Sequence, residues 1–144
     1  GAAFKPLSDD VRDSPALAVA RQMYERGAEV RVYDPAASNN ARWVATALTY
    51  FASSDAALAG ADHVVHLTEW PEFAEIDPHH AAALVREQRI IDGRNRLDAD
   101  RWRRAGWSFH GVGRGGSPVP APLDRPRPVP AATRRDRRTM LEQT

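Results

Sequence analysis

Short apolar runs separated by capped helical patterns constrain this chain more than any other feature. "AEVRVY" alternates and predicts a strand ending at Tyr33, "DHVVHLT" a buried strand, "RIID" a fourth strand and "WSFHGV" the last, while "LTYF" reads as a short strand or extended turn. Between them lie helix starts of one kind. Ser14-Pro15, Asp34-Pro35 and Asp77-Pro78 each put an N-cap acceptor before a proline that has no amide hydrogen to leave unpaired, and Asp55 and Asp98 open two shorter helices. The first helix has Leu17, Ala20, Met23 and Tyr24 at helical spacing and stops at Gly27; the others span roughly 36–47, 55–60, 77–88 and 98–106. Strands alternating with helices through short loops predict an α/β fold, a Rossmann-like doubly wound parallel sheet with helices on both faces. In such sheets ligands bind beyond the carboxyl ends of the strands.

The unusual tripeptides sit at those ends: "FKP" after a first strand of which "GAAF" is the end, "YDP" after the second strand, "TEW" after the third and "DGR" after the fourth. Lys5 is the only lysine; the other 19 of the 20 basic residues are arginine. A compact ammonium suits a phosphate or sugar oxygen as a point charge, which the planar guanidinium fork does not reproduce. Arg94 follows Asp92-Gly93, where glycine permits a tight turn and close ligand approach. Arg12 lies among Asp9, Asp10 and Asp13, where local ion pairs compete with a role toward an anion at the following helix N-terminus. Trp70 reads first as packing, with stacking on a base as the alternative, and Glu69 as a group that orients either a neighbour or the ligand. Arg96 reads as a surface residue.

Other features exclude chemistry. The chain contains no cysteine, so it has no disulfide, thiolate metal site or cysteine nucleophile. His79 and His80 are adjacent in a first helical turn, point in different directions and make no metal pair. "GVGRGG" at 111–116 matches the glycine pattern of a dinucleotide loop, but "SPVPAP" follows it where a helix is required. A net charge of +1 carries no strong signal for nucleic acid or membrane, and no apolar run nears the length of a membrane span. A cytoplasmic protein is expected. From Gly115 to Thr144 there are six prolines, six arginines and no aromatic residue, which predicts a disordered tail after a folded domain over 1–114. The arginines of that tail read as a solvated end, with binding to an anionic surface as the minor alternative.

"FKPLSDDVRDSP", "RGAEVRVYDP", "GADHVVHLTEWPEF", "IIDGRN" and "GVGR", in this order, resemble the C-terminal UDP-binding domain of the UDP-glucose/GDP-mannose dehydrogenase family. The resemblance covers 1–114. It implies an NAD-dependent enzyme that oxidises the C6 alcohol of a UDP-sugar to a carboxylate, such as UDP-glucose to UDP-glucuronate, for polysaccharide synthesis. By motif, Phe4, Lys5 and Arg94 would contact the UDP-sugar, and Arg12 would contact NAD across a domain cleft. The family's nucleophilic cysteine and phosphate-binding loop belong to an N-terminal part that would hold most of the NAD, and neither occurs here. The expectation is therefore a fragment, inactive by itself, of an enzyme that is a homo-oligomer when intact. A stand-alone, non-catalytic nucleotide-sugar-binding module is the alternative, and an interaction protein acting through its basic tail a third reading.

Overall fold

The computed structural model describes residues 1–113, so the proline- and arginine-rich stretch and Arg114 lie outside the described residues. In chain order the elements are α1 (Pro15–Glu25), β1 (Arg31–Val32), α2 (Ser38–Val44), β2 (Thr49–Tyr50), α3 (Ser54–Leu58), β3 (Val64–His66), α4 (Pro71–Ala74), α5 (Pro78–Leu84), β4 (Arg89–Asp92), α6 (Ala99–Arg104) and β5 (Ser108–Gly111). All pairing among the strands is parallel. β1 pairs with β2, Val32 opposite Tyr50; β3 pairs with β4, His66 opposite Asp92; β4 pairs with β5, Asp92 opposite Gly111.

The opening residues join these two small sheets without forming a ladder of their own. The Ala2 and Ala3 amides both donate to Asp34 Oδ2, just beyond β1, at 2.7 and 3.0 Å. On the other side Thr68 Oγ1, just beyond β3, donates to the Ala3 carbonyl at 3.0 Å. The lateral order is therefore β2, β1, the opening segment, β3, β4, β5. Chain order runs outward in both directions from the opening segment, so the topological switch of a doubly wound fold falls between that segment and β3. Ala2 and Ala3 are fully buried, and a Cβ placed on Gly1 would come within 2.5 Å of Thr68 Cβ. Small residues at this seam allow the backbone to pass close to its neighbours.

Helix starts follow the sequence closely. Ser14 Oγ accepts from the Leu17 amide and donates to the Ala2 carbonyl at 2.7 Å, so one hydroxyl caps α1 and ties it to the seam. Asp77 accepts from His79 N, and Asp98 from Asp100 N and Arg101 N. Gly27 takes φ +92° and ends α1 in the left-handed conformation that glycine adopts without strain. The differences are local. Ser53, not Asp55, caps α3, through the Ala56 amide at 3.2 Å. Asp34 caps a turn before α2, which begins at Ser38 and ends at Val44. α5 ends at Leu84, well short of residue 88, and the chain then returns beside α3 through Gly60 N to Leu84 O at 2.8 Å and Arg86 N to Ala61 O at 2.8 Å. α4 is a single turn that "TEWPEF" conceals: Pro71 starts it and Phe73 is its buried residue.

Apolar burial is divided among three clusters. Leu17, Ala20, Val32, Ala41 and Leu48 pack with Ala2 on the β1 side. Leu58, Ile90, Leu97, Trp102, Trp107 and Phe109 fill the space around β4 and β5, with the two indoles edge to face at 4.7 Å. Ala3, Ala37, Trp70 and Phe73 form a smaller group beneath the strand ends where the switch point lies.

Candidate functional site at the strand ends

Two buried aspartates organise the loops at this edge. Asp34 collects five N–H donors: Ala2, Ala3 and the Trp70 indole Nε1 (3.1 Å) on Oδ2, and Ala36 and Ala37, at 3.0 and 2.7 Å, on Oδ1. Burial by itself would raise its pKa, but the backbone amides outweigh burial and hold the carboxyl below the usual carboxylate range. Asp92 does the same at the end of β4. Oδ1 accepts from His66 Nδ1 at 2.7 Å and Arg94 N at 3.0 Å; Oδ2 accepts from Arg96 N and Leu97 N, both at 2.8 Å. Burial again opposes ionisation, and His66 with the Leu97 and Arg94 amides prevails, so Asp92 is also held low. Neither carboxylate faces solvent. Each converts backbone donors that would otherwise be buried and unpaired into a fixed loop.

The loop after the opening segment presents Phe4 and Lys5. It is closed by Phe4 N to Asp10 O at 2.8 Å, and Asn40 Nδ2 ties Asp9 to α2 at 2.9 Å. Phe4 is 50% and Leu7 81% exposed, and Leu7 holds φ +59°, a left-handed conformation that costs a leucine strain. Lys5 is exposed beside them. Arg12 makes a forked pair with Asp10, Nε to Oδ1 at 3.0 Å and Nη2 to Oδ2 at 2.8 Å, with its side chain 87% exposed. The hydrogen bond from Arg12 is the main reason that Asp10 is lowered to about 2. The competition foreseen for Arg12 is thus resolved in part: the local pair exists, and it leaves the outer edge of the guanidinium facing water.

At the next strand end Glu69 grips Arg94, carboxylate to Nε. That contact lowers Glu69 and raises Arg94. Glu69 therefore orients a neighbour, as its position suggested, and the neighbour is Arg94. Trp70 packs, also as expected, and its indole N–H is used on Asp34. Gly93 has a different reason from a special turn conformation, because its φ is not positive. A Cβ there would stand 3.0 Å from Leu67 Cδ2 and 3.2 Å from the His66 carbonyl, so glycine lets the turn press against β3. The left-handed residue of the turn is Asn95, at φ +52°, whose Nδ2 donates to Val112 O at 2.8 Å.

The histidine pair has no metal geometry: His80 binds Asp55 at 2.8 Å on the surface, and the described residues contain no group of three or more potential ligands. The glycine pattern 111–116 runs out of the described residues. No described helix is long and apolar enough to cross a membrane. Sequence reasoning passed over three residues. Asp34 was read only as a cap and Asp92 only as the residue before a turn. The signal available for His66 was a polar residue inside an apolar strand.

The parallel order and the switch point define a doubly wound, Rossmann-like α/β domain. The profile of the UDP-glucose/GDP-mannose dehydrogenase family, UDP binding domain, matches residues 1–99, and the chain belongs to that family. It is 36% identical over 115 residues to UDP-glucose 6-dehydrogenase TuaD of Bacillus subtilis, covering 79% of this chain and 25% of the relative, and 42% identical over 94 residues to UDP-glucose 6-dehydrogenase AglM of Haloferax volcanii, covering 65% and 21%. Among solved structures, a UDP-glucose dehydrogenase from Pyrobaculum islandicum superposes with a TM-score of 0.63 at 36% identity, over 78% of this chain and 24% of that one. The chain thus spans about a quarter of the length of the curated relatives that it matches.

Proposed function

We propose that this chain is the UDP-sugar-binding part of an NAD-dependent UDP-sugar 6-dehydrogenase, and that Phe4, Lys5 and Arg94 hold the UDP-sugar. The observation that carries the reading is the pairing of Arg94 with Glu69 at the topological switch point, one residue from Thr68, which binds the segment leading into Phe4 and Lys5. An ammonium and an oriented guanidinium at one edge of a parallel sheet suit a diphosphate, and an exposed phenyl ring suits the flat face of a base. Residues 1–114 form the binding domain in this reading, and 115–144 a tail outside it. UDP-glucose is the first substrate to test. Solved relatives are also named for UDP-D-ManNAc and for an N-acetyl-D-galactosaminuronic acid nucleotide, so the shared handle is the nucleotide rather than the sugar.

NAD would serve as hydride acceptor. Among the described residues Arg12 is the one assigned to it: the guanidinium is held flat by Asp10 with its outer edge in solvent, which fits an oxygen of an anionic pyrophosphate at the margin of the domain. The rest of the NAD site, the cysteine nucleophile and the contacts of a homo-oligomer are assigned to the part of the enzyme outside this segment, in the cytoplasm.

The test is calorimetric titration of UDP and UDP-glucose into the chain. Lys5→Ala and Arg94→Ala should each weaken binding by about 1.5–3 kcal/mol, roughly ten- to a hundredfold, as expected for a charge-assisted hydrogen bond. Unchanged affinity in both variants overturns the assignment.

A further inference from the structure

His66 is a buried imidazole that the nucleotide reading does not use. Its side chain is 5% exposed, its Nδ1 is committed to Asp92 Oδ1, and its ring meets Phe73 edge on at 5.9 Å. The second ring nitrogen, Nε2, is buried and has no hydrogen-bond partner among the described residues. His66 also lines a cleft of about 200 Å³ whose other walls are Glu69, Trp70, Pro71, Ala74, Arg96 and Leu97. A buried polar atom without a partner is costly, and this one belongs to a residue that lines a space large enough for a small group.

The surrounding charges decide what that group is. Asp92 is held ionised by its amides, so it fixes the proton on Nδ1 and stands ready to balance a second proton on Nε2. Glu69 is neutralised by Arg94. Glu72, on the helix that carries Phe73, is turned away to the Tyr33 hydroxyl at 2.9 Å. Asp34, behind Trp70, is saturated by five donors. Arg96 remains: its backbone amide is spent on Asp92, and its exposed guanidinium belongs to none of the ion pairs among the described residues. A neutral His66 would want a hydroxyl or amine donor, which leaves Arg96 only the charge of Glu69, already paired with Arg94. A protonated His66 would want an acceptor, and an oxyanion satisfies Nε2–H and Arg96 together.

We propose that this cleft is an oxyanion subsite, taking a carboxylate or a sulfate- or phosphate-like group between Arg96 and His66, with uptake of a proton at His66 Nε2. The subsite adjoins the UDP assignment through Glu69, which binds Arg94, but its own residues are His66 and Arg96 and its test uses no nucleotide.

The experiment follows the His66 ring resonances of the full chain by NMR from pH 5.5 to 8, without and with acetate or sulfate. Neither probe changes charge in that range, and together they separate a planar from a tetrahedral oxyanion. The expected result is an upward shift of the His66 midpoint with either probe. Apparent affinity should fall about tenfold per pH unit above the midpoint of the free protein, because only the protonated fraction binds. Arg96→Gln, an exposed change that leaves Asp92's backbone bonds in place, should weaken binding tenfold or more and shrink the shift. Affinity that rises with pH would mean that the cleft takes a donor, and would overturn the proposal. So would binding that leaves the His66 midpoint unmoved, or that Arg96→Gln does not affect.

Discussion

Asp34→Asn is the most informative single change in the fold. The carboxylate accepts five N–H bonds, three on Oδ2 and two on Oδ1, and offers no donor. An asparagine is nearly the same shape, but one of its two positions becomes an NH₂. Its better orientation keeps the oxygen toward Ala2, Ala3 and the Trp70 indole, and turns the NH₂ toward the Ala36 and Ala37 amides. Donor then faces donor. Ala37 is fully buried, so its amide bears the full cost of going unpaired, about 1–3 kcal/mol; Ala36 is exposed, so water takes its amide and little is added. The total is about 1–3 kcal/mol, against a typical domain stability of about 5–15 kcal/mol. For a domain near 100 residues that corresponds to a fall in Tm of roughly 5–15 °C. Thermal unfolding at pH 7, followed by circular dichroism, measures it. Asp34→Ala should be worse than Asp34→Asn, because all five donors lose their acceptor. A fall of less than about 3 °C in Asp34→Asn, or equal effects of Asn and Ala, would refute the view that Asp34 acts by collecting amides.

The remaining predictions concern other parts of the domain. Asp34 and Asp92 both titrate below their ordinary range when folded, so the stability they contribute should be complete above about pH 4, the unfolded carboxylate value, and be lost as pH falls below it; urea midpoints between pH 7 and 2.5 check this, and a midpoint that rises on acidification contradicts it. Gly93→Ala should lower stability by about 1–2 kcal/mol, since its Cβ must push Leu67 aside and press on the fixed His66 carbonyl; a neutral effect in chemical denaturation would show that the turn has slack. Trp107→Phe removes the Nε1 bond to Pro78 O at 2.9 Å and part of the contact with Trp102, and should cost about 2 kcal/mol or more by the same measurement.

What could be read from the sequence was what the chain settles over a few residues. Ser14, Asp77 and Asp98 cap the helices that follow them because the donors they need lie two or three residues ahead, inside the same short string. Gly27 ends α1 for a reason equally local. The parallel alternation was legible because short apolar runs recur between capped helices along the chain. The reason for Gly93 was hidden because it depends on Leu67 and His66, which belong to a different strand. Asp34 looked like a cap, and two of its five bonds are those of a cap; the other three come from Ala2, Ala3 and Trp70, more than 30 residues away in each direction. Asp92 hid its link to His66 in the same way, across 26 residues.

That division bears on how the site itself should be tested. The residues assigned to the ligand are exposed and make few contacts, while the residues that aim them are buried and need not touch a ligand. Asp34 fixes Ala3, whose next neighbours are Phe4 and Lys5; Asp92 fixes the amide of Arg94. A change at either aspartate moves a ligand residue without removing it. Loss of UDP affinity alone therefore cannot separate a contact residue from the residue that supports it, but affinity and stability measured together can. Lys5→Ala should lower affinity with Tm nearly unchanged, since Lys5 is exposed and no bond of its side chain holds the loop that Phe4 N, Asp10 and Asn40 close. Asp34→Asn should lower both, and lowering the temperature far below its Tm should recover only part of the affinity, because the donor-against-donor contact persists in the folded state. If Lys5→Ala instead costs as much stability as Asp34→Asn, the lysine is part of the frame and the case for it as a ligand group fails.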